Sequence, residues 1–297
     1  MKSKIQIKNI TDLSLRETVE SDIRQKINCI TVDCKRVVSQ FSSPTYLNAL
    51  SAILVLSGRG SICINYKSYQ IKEDMLLLLS SSHLFYFYDC SEDFKCICLF
   101  VSKVYMDDMD TTDMIYKRIR YGVRLYNEPV VALSQANALV IFDRMKRVDK
   151  SISYTEHYYY KEVILNSLFA FYLDLSDILE RQMTLPGNDS ITRYESVIKS
   201  FIELLVIHYR EEHKVEFYAS ELNLSSHYLT LIVKQVTGQS VSDFIYEMLY
   251  SEARTLLSHS KLSVQEIAAK LNFSDQSSFG KFFKRKSGLS PKEFRKE

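Results

Sequence analysis

Glycine and proline are scarce in this chain, at 7 and 4 of 297 residues. With 46% hydrophobic and 25% charged residues around them, that scarcity leaves no composition for a long disordered segment. Charge of one sign is lacking too. Thirty-eight Lys and Arg face 36 Asp and Glu, a formal net charge of +2, so any surface for nucleic acid has to be local. No segment approaches the roughly 18 uninterrupted apolar residues that a membrane helix needs. The first residues, MKSKIQIKNITDLSLRETVE, carry no signal-peptide core, which predicts a cytoplasmic protein without membrane contact. Six cysteines are present (Cys29, Cys34, Cys63, Cys90, Cys96 and Cys98), but no CxxC pair. In a reducing compartment they read as apolar core residues, with Cys96 and Cys98 on one face of a strand.

What is present falls into three textures. From about residue 27 to 104, runs such as AILVLSG, SICINY, DMLLLLSS, HLFYFY and FKCICLFVS are short, rich in β-branched and aromatic residues, and punctuated by Ser, Gly, Asp and Asn. They predict a small barrel or double-sheet sandwich, with Ser57-Gly58-Arg59-Gly60 as a hairpin turn. From 128 to 181 the period becomes helical: Val130, Leu133, Ala136, Leu139, Val140, Phe142 and Met145 suggest one helix, and YYYKEVILNSLFAFYLDLSDIL a second after a break near 151–155. Two such helices can cover the strands and still leave an apolar stripe for a dimer partner. QMTLPGNDS, residues 182–190, is the expected interdomain linker. The domains expected are therefore 1–127, 128–181 with a coupling and dimerising role, and 191–297.

From Ile191 onward everything reads as helix. FYASELNL and VQEIAAKLNF are short helices, each followed by a second one, SSHYLTLIVKQVTG and DQSSFGKFFKRKSG, that ends in glycine, Gly238 or Gly288. SVSDFIYEMLYSEARTLL connects the pairs, so a helix-turn-helix unit occurs twice, and such a unit places its second helix in the DNA major groove. Toward the end, Lys270, Lys281, Lys284, Arg285, Lys286, Lys292, Arg295 and Lys296 outnumber Asp275, Glu293 and Glu297. This excess is either a phosphate-facing surface or a solvated basic face. At 100° per residue, Phe279, Phe282 and Phe283 share one flank of the last long helix, and Gln276, Ser277, Gly280, Lys281 and Lys284 take the opposite arc. Gly280 thus lies away from the phenylalanines. It is either a neutral surface glycine or a gap that lets the helix sit deeper in the groove.

The segment VQEIAAKLNFSDQSSFGKFFKRKSGLSPKEFRK resembles the second helix-turn-helix of the AraC/XylS family of transcription regulators. Glu266, Ile267, Ala268, Phe273, Phe279, Lys281, Phe283, Lys284, Gly288, Ser290, Pro291, Phe294 and Arg295 carry that likeness. Ala219, Leu222, Leu224, Ser225, Leu229, Lys234, Gly238, Ala253, Leu256 and Leu257 are similar to the first unit and connector. Asn272 stands where the family usually has Gly, Leu249 where many members have Arg, and Val233 where Phe is usual.

The resemblance implies an α+β protein: an N-terminal cupin-like β-barrel with dimerising helices, followed by an all-α DNA-binding domain with two helix-turn-helix units. It also implies base contacts from Gln276, Ser277, Gly280, Lys281, His227, Thr230 and Leu231, and phosphate contacts from Lys234, Ser278 and Lys284. Double-stranded DNA, a second copy of the chain, a small-molecule effector and RNA polymerase are the implied partners. If the barrel holds an effector, Tyr46, Arg59, His83, Tyr86 and Tyr88 are the candidate lining. A metal-dependent cupin would need an H-x-H pair with a later Glu and His, and only His83 is suitably placed, so neither metal, cofactor nor catalysis is expected. Two other readings stay open: a ligand-independent regulator controlled by a protein partner, and a cupin-like enzyme fused to a DNA-binding domain.

Overall fold

The computed structural model describes residues 5–13, 22–102, 105–106, 125, 128–183, 193–237 and 239–296. These fall into two compact units, one holding the described residues through Met183 and the other those from Arg193 on. Most of the expected linker, residues 184–190, and the helix-ending Gly238 lie outside the described residues.

Among its described residues the first unit contains ten strands: β1 (Gln6–Lys8), β2 (Ile27–Asp33), β3 (Thr45–Leu47), β4 (Ala49–Ser57), β5 (Arg59–Ile64), β6 (Lys67–Lys72), β7 (Met75–Leu79), β8 (Leu84–Cys90), β9 (Lys95–Ser102) and β10 (Val130–Ala132). They form two five-stranded sheets, ordered β1-β3-β8-β5-β6 and β10-β7-β4-β9-β2. Alternate residues explain the layering. Ile62, Ile64, Phe85 and Phe87 from the first sheet share one core with Ile53, Val55, Leu77, Leu79, Cys96, Cys98 and Phe100 from the second. Short helices α1 (Asp22–Lys26) and α2 (Cys34–Phe41) flank β2. Asp33 caps α2 by accepting from the Arg36 N–H, and Val37 and Phe41, one turn apart, turn into the core.

Three expectations need correction here. Ser57-Gly58-Arg59-Gly60 is not a hairpin turn, because β4 and β5 belong to different sheets. Gly58 carries the chain from one sheet to the other at φ +74°, and a Cβ there would stand 2.6 Å from the Phe94 backbone. The hairpin in this region joins β5 to β6 through Asn65 and Tyr66, both at positive φ, with Ile64 opposite Lys67.

Val130–Ala132 is a strand, β10, antiparallel to β7, and not the start of a helix. Helix α3 (Gln135–Ser153) begins only after Ser134 caps it. Including strand residues in a helical count set the wrong phase. The buried face is Ala138, Ile141, Met145, Val148 and Ile152, whereas Leu139 is 58% exposed. That buried face rests on the second sheet, where the Cys29 thiol donates to the Met145 carbonyl at 3.2 Å. Helix α4 (Tyr160–Met183) runs against α3, tied by Arg144 to Asp174 at 2.6 Å and by Ser151 to Ser167 at 2.8 Å.

Finally, the cysteines do not behave alike. Cys29, Cys63, Cys96 and Cys98 are buried as expected, but Cys34 and Cys90 are joined in a disulfide that ties the start of α2 to the end of β8. Their separation of 56 residues along the chain hid that proximity.

The second unit is all helical: α5 (Arg193–His208), α6 (Val215–Glu221), α7 (Ser226–Thr237), α8 (Val241–His259), α9 (Val264–Lys270), α10 (Gln276–Ser287) and α11 (Pro291–Phe294). With the two sheets of the first unit, this makes the α+β protein expected.

Candidate nucleic-acid interface

Helices α9 and α10 build the second helix-turn-helix. Ser263 and Glu266 form a reciprocal capping box at the start of α9, which buries Val264, Ile267 and Ala268. The turn is made by Asn272 at φ +53°, a conformation asparagine tolerates better than most side chains. It lets the Asn272 N–H reach the Ala269 carbonyl and the Phe273 N–H reach that of Ala268, at 3.1 and 2.9 Å. Asp275 then caps α10 by accepting from the Ser278 N–H at 2.7 Å. Gly288, at φ +81°, ends the helix as its position in the sequence predicts.

The two sides of α10 differ as the 100° count requires. Phe279, Phe282 and Phe283 are buried, and Phe273 meets the rings of Phe279 and Phe282 at 5.4 and 5.1 Å. Gln276, Ser277, Lys281 and Lys284 are exposed on the other side. Gly280 is half-buried among them, yet a Cβ added there would meet nothing within 4 Å. The Ser278 hydroxyl donates to the Asp275 carboxylate at 3.0 Å, so it already stiffens the start of its own helix.

Helices α6 and α7 repeat this construction. Asn223 takes φ +55° at the turn, with the Asn223 N–H bonded to Ser220 and the Leu224 N–H to Ala219. Ser225 caps α7 by accepting from the Tyr228 N–H. From the second to the tenth residue of each recognition helix, 227–235 against 277–285, the burial matches position for position. Leu229, Ile232 and Val233 are buried like Phe279, Phe282 and Phe283; His227, Leu231 and Lys234 are exposed like Ser277, Lys281 and Lys284; Thr230 is half-buried like Gly280. Every residue expected to contact DNA therefore lies off the hydrophobic side of its helix.

Connector α8 starts with a capping box between Ser240 and Asp243. Its Tyr246 and Tyr250 rings lie 5.9 and 5.4 Å from those of Phe282 and Phe283, which seats α10 on the connector. Leu249 is fully buried in this packing.

The electrostatics of the two units differ. Asp275 is held below the ordinary carboxylate range chiefly by the Ser278 N–H, Glu266 by that of Ser263, and Glu293 by the Ser290 hydroxyl. Each carboxylate sits at a helix N-terminus, where negative charge is favoured. The first helix-turn-helix uses the neutral Ser225 for the same task.

The residues expected to line an effector pocket do not converge inside the first unit, and that expectation is corrected. Tyr86 and Tyr88 alternate with Phe85 and Phe87, whose rings face the core, so the tyrosines leave the opposite face of the sheet. Tyr46 pairs with Leu84, two residues before Tyr86, and shares that outer face. Arg59 is exposed at a strand end. His83 is buried in the turn after β7, its Nδ1 accepting from the Ser80 N–H at 2.9 Å. The space between the sheets is instead a narrow apolar cleft, lined among others by Val32, Val37, Phe41, Phe87 and Phe100, with Arg36 at its edge. The alternation of β8 was the available signal, and it pointed to the phenylalanines rather than the tyrosines.

Two successive helix-turn-helix units on one connector define a DNA-binding protein. A family described as a helix-turn-helix domain matches residues 218–297. The Msm operon regulatory protein of Streptococcus mutans serotype c is 25% identical over 259 residues, 86% of each chain. The HTH-type transcriptional activator RhaS of Salmonella paratyphi B is 30% identical over 124 residues, 42% of this chain and less than half, 44%, of that protein. Among solved structures, the C-terminal domain of AraT, a response regulator from Geobacillus stearothermophilus, is 26% identical and covers 36% of this chain and 88% of its own, with a TM-score of 0.33. The chain is a DNA-binding transcription regulator, and its C-terminal domain is of the AraC type.

Proposed function

We propose that residues 191–297 read an operator through both recognition helices, laid in successive major-groove faces about 34 Å apart. The observation that carries this reading is the position-by-position equivalence of α7 and α10. Gln276, Ser277, Gly280 and Lys281 face base edges, joined by His227, Thr230 and Leu231 from the first unit. Lys284 and Lys234 hold phosphates. Selection of a preferred DNA sequence from a random pool at fixed salt tests this. A motif with two half-sites one helical turn apart supports it; retention of DNA without any preferred sequence overturns it.

Residues 1–127 act as the regulatory unit, and 128–181 couple it to a second copy of the chain. Leu139 and Val140 on α3, with Phe169 and Leu173 on α4, are exposed apolar side chains and support dimerisation there. Activation is the expected outcome, through contact with RNA polymerase in the cytoplasm, and relatives named activators support it. The chain does no catalysis in this reading.

Two versions of regulation remain distinct. A small molecule entering the cleft between the sheets would raise the melting temperature of the full chain, since a ligand of the folded state stabilises by RT ln(1 + [L]/Kd). A unit that only meets protein partners would not respond to any small molecule screened. The narrowness of the cleft and the outward tyrosines favour the second version.

A further inference from the structure

We infer that the turn between α5 and α6 is a clip that sets the spacing of the two recognition helices, and that Asn272 is its positioning residue on the second unit. The inference rests on the reading that both helices enter grooves. The covalent path from α7 to α10 runs through the joint from Thr237 to Ser240, α8, the joint from Ser260 to Ser263, α9 and the turn from Leu271 to Asp275. A hydrogen-bonded bridge that bypasses α8 limits rotation at those joints.

Five consecutive residues supply that bridge. Tyr209 is buried, and its hydroxyl donates to Glu252 of the connector at 3.4 Å. Arg210 reaches the same carboxylate at 3.2 Å. The Glu211 carbonyl accepts from the Asn272 side-chain amide at 2.6 Å, across 61 residues of sequence. Glu212 accepts at its carbonyl from the Tyr218 hydroxyl, on α6, at 2.8 Å. The His213 ring lies 5.1 Å from that of Phe273, which itself packs on Phe279 and Phe282 beneath the recognition helix. One short turn is thus bonded to the first unit, to the connector and to the turn of the second unit.

Asn272 has two separable tasks. Its backbone needs φ +53°, which glycine would meet at no steric cost. Only the side-chain amide makes the bond to Glu211. Asn223 occupies the same corner of the first unit at φ +55°, and its amide makes no corresponding bond to another element among the described residues. The pair is an internal control: same backbone, one with the tie and one without.

The test uses the full chain with the selected operator and versions carrying one or two base pairs added or removed between the half-sites. The wild-type protein should prefer one spacing. Asn272→Gly keeps the backbone and deletes the amide. It should weaken binding at the best spacing by about two- to tenfold, the worth of a net hydrogen bond, and shrink the loss at the altered spacings. His213→Ala should flatten the profile in the same way, and Asn223→Gly should leave it unchanged. A wild-type spacing profile in both Asn272→Gly and His213→Ala overturns the clip while leaving the two-groove reading intact. Indifference of the wild-type protein itself to spacing overturns that reading and the clip with it.

Discussion

The two helix-turn-helix units share a construction and differ in surface chemistry. Both have an asparagine at positive φ in the turn, a side-chain cap at the recognition helix and three buried apolar residues at matching positions. The outward residues diverge. α7 presents His227, Thr230 and Leu231, while α10 presents Ser277, Gly280 and Lys281. A core is constrained by volume and so keeps its pattern, whereas an exposed face is free to carry whatever its ligand requires. A leucine 52% exposed at position 231, where α10 has Lys281, offers apolar contact but no hydrogen bond to a base edge.

The largest effects should show the likeness. Phe279→Ala and Leu229→Ala remove fully buried side chains at matching positions, with expected losses of about 3–5 and 2–5 kcal/mol. Thermal unfolding of both variants measures this, and a loss below about 1 kcal/mol at either site would break the equivalence of the cores.

The next effect should show the difference. Lys281→Ala should cost about 1–3 kcal/mol and relax preference at one base position. Leu231→Ala should cost less and leave hydrogen-bonded positions of the selected motif as they were. Equal losses would mean that the first unit reads as much sequence as the second.

A smaller effect concerns the glycine. An added Cβ at Gly280 finds open space, so Gly280→Ala should stabilise the free domain by about 0.4–1 kcal/mol. It should also weaken or re-specify DNA binding if the gap admits the helix to the groove. A gain in stability with unchanged binding would make it a neutral surface glycine, and circular dichroism with a binding titration separates the outcomes.

The smallest effect is expected in acid. The carboxyls of Asp275, Glu266 and Glu293 lie below their unfolded values because N–H and O–H groups stabilise the charged form. Their contribution is therefore complete above the unfolded carboxylate pKa, about 4, and is lost as pH falls below it. The second helix-turn-helix should lose structure first on acidification, since Ser225, which caps the first, does not titrate. Simultaneous loss in both units, followed by hydrogen exchange, would remove the distinction.

Much of the second unit was legible in the chain because its rules are local. A cap, a turn residue and a 100° repeat act within a few residues, and they located both recognition helices and the sides they expose. The first unit was less legible because its decisive relations are distant. Gly58 reads as a hairpin residue until β4 and β5 are seen in different sheets. Val130 reads as helical until β7 is beside it. Tyr46, Tyr86 and Tyr88 read as pocket residues until the register of β3 and β8 puts them on the outer face.

By itself the sequence determined that this protein has a strand-rich part and a pair of helix-turn-helix units, and which residues those units expose, because periodicity and capping are properties of neighbouring residues. Only the tertiary structure decided which strands pair, which cysteines meet, and that the turn at 209–213 bonds to Asn272. Those contacts join residues tens of positions apart, and their free energy comes from burial and hydrogen bonding across elements that no local pattern connects.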